Sequence, residues 1–176
     1  MPEEIEVPTE HLHEAMEEKA EEGGFNLRVA LTSALVAVLA AICALFAGGH
    51  ANEALVAQIK CSDTWAFYQA KSIKSSMLSN KIEMMQAAGH KAKPEDLAKL
   101  DEYKKDMEEK SAEATKLGQE ADELLERHEI LAKGVTLFQI AIALSAISVL
   151  TRKKFLWVGG LLLSLGGIYF LFMGLR

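Results

Sequence analysis

Charge is missing from three long stretches of this chain, and that absence says more than any motif. Val29 to Gly49, Val135 to Leu150 and Phe155 to Leu175 hold no Asp, Glu, Lys or Arg. A helix needs about 20 apolar residues to cross a bilayer. The first and third runs have 21 residues each. The second has 16, extended by Thr151 and by Lys133, whose ammonium can reach the headgroups while its stem stays apolar. Because no Asp, Glu, Lys, Arg or His lies inside the runs, a proton relay or ion path through them is disfavoured. No strongly basic surface exists to attract nucleic acid; the formal charge is −6.

Proline is scarce, with three residues in the chain, and none falls between Pro8 and Pro94. Cysteine is scarcer still: Cys43 and Cys61 only. Along one helix they would stand about 27 Å apart, too far for a disulfide. Both read as small apolar residues, with an intermolecular Cys61 bridge as the minority alternative. No zinc or haem spacing occurs. His11 and His13 point to different sides of a helix, while His50, His90 and His128 lie far apart. We therefore expect no metal, no cofactor and no catalytic residue, and expect the protein not to be an enzyme.

What is present is charge outside the runs. Nine acids precede Val29 against Lys19 and Arg28. Residues 50–134 hold 16 acids and 13 bases. Arg152, Lys153 and Lys154 form the densest basic cluster beside a run, which places that link on the cytoplasmic side. The N-terminus would then be cytoplasmic, and residues 50–134 would lie outside. The first run is longer than a signal-peptide core and has an acidic flank, so it reads as a retained anchor.

The middle region has helical patterning. His50 to Ala88 contains no proline or glycine, and Gly89 to Pro94 is a break. Glu95 and Asp96 then suit the first turn of a new helix. In the second arm Leu100, Met107, Ala114, Ala121 and His128 recur at one heptad position. Tyr103, Lys110, Leu117, Leu124 and Leu131 recur at the other. The first arm offers Leu55, Ile59, Ser62, Ala66, Ala70, Ile73, Met77 and Met84 as its stripe, with one step of eleven residues. Arms of 39 and 40 residues would each reach about 60 Å, as an antiparallel hairpin requires.

The expected fold is all-α: three transmembrane helices with a long antiparallel coiled-coil hairpin between the first and second. Its parts are an acidic tail with a short helix (1–28), capped by Thr9 and stopped at Gly23-Gly24, then a first span (29–49). The hairpin (50–134), a second span (135–150) and a third span (155–175) follow. Leu12, Ala15, Met16 and Ala20 line the tail helix. Gln139 should face another helix rather than lipid. The repeat of Ala30, Ala34, Ala37, Ala41 and Ala44 suits close helix packing, as do Gly159, Gly160, Gly166 and Gly167. Leu117, Leu124 and Leu131 should pack the hairpin seam. His128 sits in that seam near the bilayer surface.

Trp65, Phe67 and Tyr68 cannot all be buried by two helices, so they read as a partner-binding face. A scaffold or accessory subunit, oligomerising or binding a protein through the hairpin, follows. The alternative is a mechanical or ligand sensor, or a channel-like oligomer, with the hairpin coupled to the spans. The expected partners are the lipid bilayer and either further copies or a membrane complex, and no nucleic acid.

Three segments carry a family resemblance: Glu4-Ile5-Glu6-Val7-Pro8-Thr9-Glu10-His11-Leu12-His13-Glu14, His50-Ala51-Asn52-Glu53-Ala54, and Trp65-Ala66-Phe67-Tyr68-Gln69-Ala70-Lys71. With them the chain resembles the uncharacterised bacterial family of domain of unknown function 4337. That resemblance implies a bacterial inner-membrane setting. It brings no reaction, cofactor or assigned site residue.

Overall fold

The structure, a computed structural model, describes the backbone from residue 9 and the side chains of residues 23–176. Three helices follow in order: α1 (Thr9–Ala87), α2 (Pro94–Thr151) and α3 (Lys154–Leu175). No strand occurs among the described residues. Each helix contains a segment long and apolar enough to cross a membrane, with best-window mean hydropathies of 2.6, 1.9 and 2.0.

Gly23-Gly24 does not stop the first helix. α1 runs through both glycines without a break. Two glycines cost about 1 kcal/mol each relative to alanine, too little to end a ladder of backbone hydrogen bonds that the next apolar run extends. The side chains of Leu12, Ala15, Met16 and Ala20, and those of His11 and His13, lie outside the described residues, as does the residue before Thr9.

The chain forms two compact units. The first takes in α1 up to Ala47, α2 from Glu129, and α3. α1 turns Val29, Val36, Cys43 and Ala47 inward, mostly at seven-residue steps. α2 contributes Leu131, Phe138, Ala141, Ser145 and Ser148. α3 contributes Gly160, Ser164, Gly167, Leu171 and Gly174. Its glycines permit close approach. A Cβ on Gly167 would fall 2.7 Å from the Phe138 ring, and one on Gly160 would fall 2.9 Å from the Ala141 carbonyl oxygen. Polar groups inside this unit are bonded locally. Ser145 and Ser164 donate to the carbonyls of Ala141 and Gly160, both at 2.9 Å.

At one end of the unit the Trp157 indole N–H donates to Thr32 Oγ1 at 3.0 Å, and Phe25 meets the indole edge-on at 5.8 Å. The α2–α3 link is tight. Arg152 has φ +55, and Ser148 Oγ donates to the Lys153 carbonyl at 2.9 Å.

The second unit spans Gly48–His128: the distal part of α1, the turn, and the first part of α2. α1 ends in a Schellman motif. Gly89 adopts φ +80, the His90 N–H reaches the Met85 carbonyl at 2.9 Å, and the Gly89 N–H reaches that of Gln86 at 3.0 Å. The left-handed position favours glycine because a Cβ would crowd the backbone there. Pro94 starts α2, where the missing N–H costs nothing, and Glu95 and Asp96 occupy its first turn. The arms are antiparallel. Contacts pair Cys61 with Ala114, then Lys71 with Asp106, then Lys81 with Asp96, closing on the turn.

Candidate interaction surface

The inward face of the α1 arm follows a strict heptad. Ala54, Ala57, Cys61 and Ile82 are buried, and Thr64, Tyr68, Lys71, Ser75, Leu78 and Met85 are half-buried. This is not the stripe expected from hydrophobicity. Leu55, Ile59, Ile73, Met77 and Met84 point away from α2, with 52–73% of their surface exposed. Around Cys61 the physical reason is proximity, because helices that pack closely need small residues between them; nearer the turn the seam takes the larger Leu78, Ile82 and Met85. The Cys61 thiol donates to the Ala114 carbonyl at 3.2 Å, and a Cβ on Gly118 would sit 3.6 Å from that sulfur. Facing it, α2 buries Ala114 and Ala121, while Leu100, Met107, Leu117, Leu124 and His128 are half-buried. Leu131 is fully buried, but in the first unit. With Cys61 turned inward, its thiol does not face outward for an intermolecular bridge.

The seam's polar members pair with one another. Lys71 Nζ donates to Asp106 Oδ2 at 2.6 Å and lies 4.9 Å from the Tyr103 ring centroid and 5.4 Å from that of Phe67. The hydrogen bond to Asp106 raises the Lys71 pKa above the usual lysine value. Lys110 Nζ donates to Glu113 Oε2 at 2.6 Å and sits 5.8 Å from the Phe67 centroid; the Glu113 bond likewise raises its pKa. Lysines are tolerated at these positions because their stems pack while their charges find carboxylates and ring faces.

The Trp65, Phe67 and Tyr68 cluster is split. Trp65 meets Tyr68 edge-to-face with centroids 5.3 Å apart, and Tyr68 enters the seam. Phe67 stands separately beneath the two ammonium groups and is 44% exposed. No group of His, Cys, Asp or Glu that could hold a metal occurs among the described residues. His50 Nδ1 lies 3.7 Å from Glu53 Oε2.

The surface that sequence reasoning assigned to the wrong partner is the outward face of the α1 arm. Asn52, Leu55, Ile59, Ser62, Ala66, Ala70, Ile73, Met77, Asn80 and Met84 are all exposed, and none is charged. About 18 residues make five helical turns. Leu55 therefore lies over Ile73, Ile59 over Met77, Ser62 over Asn80 and Ala66 over Met84, a straight row within about 40° of one line. Its opposite side is the seam. The eleven-residue step is the signature of this straight row, in place of a supercoiled one.

In the first unit, the repeated residues Ala30, Ala34, Ala37, Ala41 and Ala44 are also exposed, so among the described residues they do not form the buried contact between helices. Gln139 is exposed rather than facing a neighbouring helix. Gly160 and Gly167 lie against α2, Gly166 lies near Leu137, and Gly159 meets nothing within 4 Å. Gly174, which sequence reasoning passed over, is the third close contact: its Cβ would approach Leu131. The seven-residue step from Gly160 through Gly167 to Gly174 was the available signal.

A family model described as domain of unknown function (DUF4337) matches residues 25–176. No curated protein and no solved structure matches the chain.

Proposed function

The chain belongs to that family, and from this premise we propose a non-enzymatic membrane scaffold or accessory subunit that acts by association through its helical hairpin. The observation that carries the reading is the uncharged outward row on α1. A water-exposed helix face without charge over more than 30 residues would be an aggregation liability unless a partner covered it. Gln139 gives independent support. An amide that reaches no partner within the described chain is better accommodated by a neighbouring helix than by hydrocarbon. In this reading α1, α2 and α3 cross a bacterial inner membrane, the Arg152–Lys154 link lies in the cytoplasm and the hairpin stands in the periplasm.

A second reading, sensing or channel-like coupling, draws on α1 and α2 each running unbroken from apolar segment into hairpin arm. The association reading is tested by the mass of the complex extracted directly into native-lipid discs. We expect a mass well above the 19.3 kDa of one chain, from several copies or a stoichiometric partner. A single species of one-chain mass would contradict it.

A further inference from the structure

We propose that the outward row of α1 is covered by the same row of a second copy of this chain, in a parallel, two-fold pair. The inference rests on the association reading above and names the occupant. Charge placement around the row argues for it. By helical arithmetic, Asp63, Lys74 and Lys81 flank one side of the row at about 60–80°, and Gln58, Gln69 and Ser76 flank the other at about the same angles. In a parallel two-fold pair, the left flank of one helix meets the right flank of its mate. Each charged flank therefore meets uncharged glutamine and serine, and no like charges oppose one another. An antiparallel pair would set charged flank against charged flank. Copies anchored in one membrane with the same orientation can only pair in parallel.

The row's chemistry suits self-pairing in a second way. Asn80 would meet Asn80 of the second copy, and an amide is both donor and acceptor. A buried asparagine at such a position fixes register and favours two strands over more. Within the apolar segment of the same helix, the exposed alanine repeat is the kind of small-residue surface on which membrane helices approach closely. Lipid contact alone would be served equally well by larger side chains.

The test is a cysteine scan of the full chain in its native membrane, with Cys43→Ala and Cys61→Ala as background. Ile59→Cys, Ala66→Cys and Ile73→Cys should form disulfide-linked dimers on mild oxidation. The rate should be at least tenfold that of Lys60→Cys, which points off the row, or Glu109→Cys on α2. An antiparallel pair brings a residue against its own copy only at the two-fold axis, so same-residue disulfides at all three positions form only between parallel helices in register. In parallel, Ile73→Glu should abolish the dimer mass while helical content is retained. Equal cross-linking at all five positions, or none at the row, would overturn the pairing. If the row positions fail to cross-link but a second protein is present in fixed ratio and is released by Ile73→Glu, self-pairing is wrong and the association reading stands. A monomer with no partner would sink both.

Discussion

Gly167→Leu should detach α3 from α2, with a loss of about 3 kcal/mol, the upper end of the range for an overpacked site. The backbone positions give the reason. A single added carbon at Gly167 would lie 2.7, 2.8 and 2.9 Å from three atoms of the Phe138 ring. Phe138 is itself fully buried, so the ring has nowhere to turn. The remaining atoms of leucine would force the helices apart along their contact, and the neighbouring approaches at Gly160 and Gly174 would loosen with it. In a bilayer the side chains so released enter lipid rather than water. The loss therefore reflects packing alone, because apolar transfer contributes little there. Gly159→Leu is the internal control. Nothing lies within 4 Å of its Cβ position, and its effect should stay within about 0.5 kcal/mol. Reversible unfolding in mixed micelles measures both. Equal losses at the two positions would mean that α3 does not pack on α2 through this glycine series.

The second large effect is expected at Ala114→Asp. Ala114 is fully buried, and its carbonyl accepts the Cys61 thiol. A carboxylate placed there would have little access to water, and the nearest ammonium on its own helix, Lys110 one turn earlier, is already held by Glu113 at 2.6 Å. An uncompensated buried charge costs on the order of 3–5 kcal/mol, enough to open the middle of the hairpin. The loss should depend on pH in a definite direction. Burial raises the folded-state pKa of the new carboxyl. The part of the loss due to ionisation is therefore full above that raised value, declines as pH falls through it, and is gone below the unfolded pKa of about 3.9, leaving only the cost of fitting a neutral carboxyl. Thr115→Asp, one residue along on an exposed position, should change stability by no more than about 0.5 kcal/mol. Thermal unfolding of the three proteins at pH 7 and pH 4 checks the size and the sign together.

Much of the architecture was legible in the residues. Uncharged runs marked the apolar segments, and Gly89 with Pro94 marked the turn, because punctuation by these two residues acts through local backbone geometry. The α2 arm was readable for a related reason: its heptad leucines and alanines are surrounded by charge, so one face alone is apolar. The α1 arm has two candidate faces. Hydrophobicity favours Leu55, Ile59, Ile73 and Met77, whereas the chain buries Ala54, Ala57 and Cys61 and half-buries Ser75. Side-chain volume, not apolarity, decides which face another helix can approach most closely, and one arm read alone does not reveal how close its neighbour comes. Gly23-Gly24 misled for the opposite reason. A local breaker signal was outweighed by the cooperativity of the long helix around it. At the candidate surface, the aromatic cluster at Trp65 to Tyr68 drew attention because aromatics are conspicuous. The row of smaller uncharged residues is more extensive, and only a period near 3.6 residues makes it visible.

That the α1 arm is covered on two opposite sides is tested most directly by the rate at which single cysteines along it react with a membrane-impermeant maleimide in intact membranes. Ala57→Cys and Ser75→Cys on the seam side, and Ile59→Cys and Ile73→Cys on the outward row, should all react slowly. Lys60→Cys and Glu83→Cys, exposed positions that point off both faces, should react quickly. If Ile59→Cys and Ile73→Cys were labelled as fast as Lys60→Cys, the outward row would be bare to water, and the account of this protein as one that works by covering it would be contradicted.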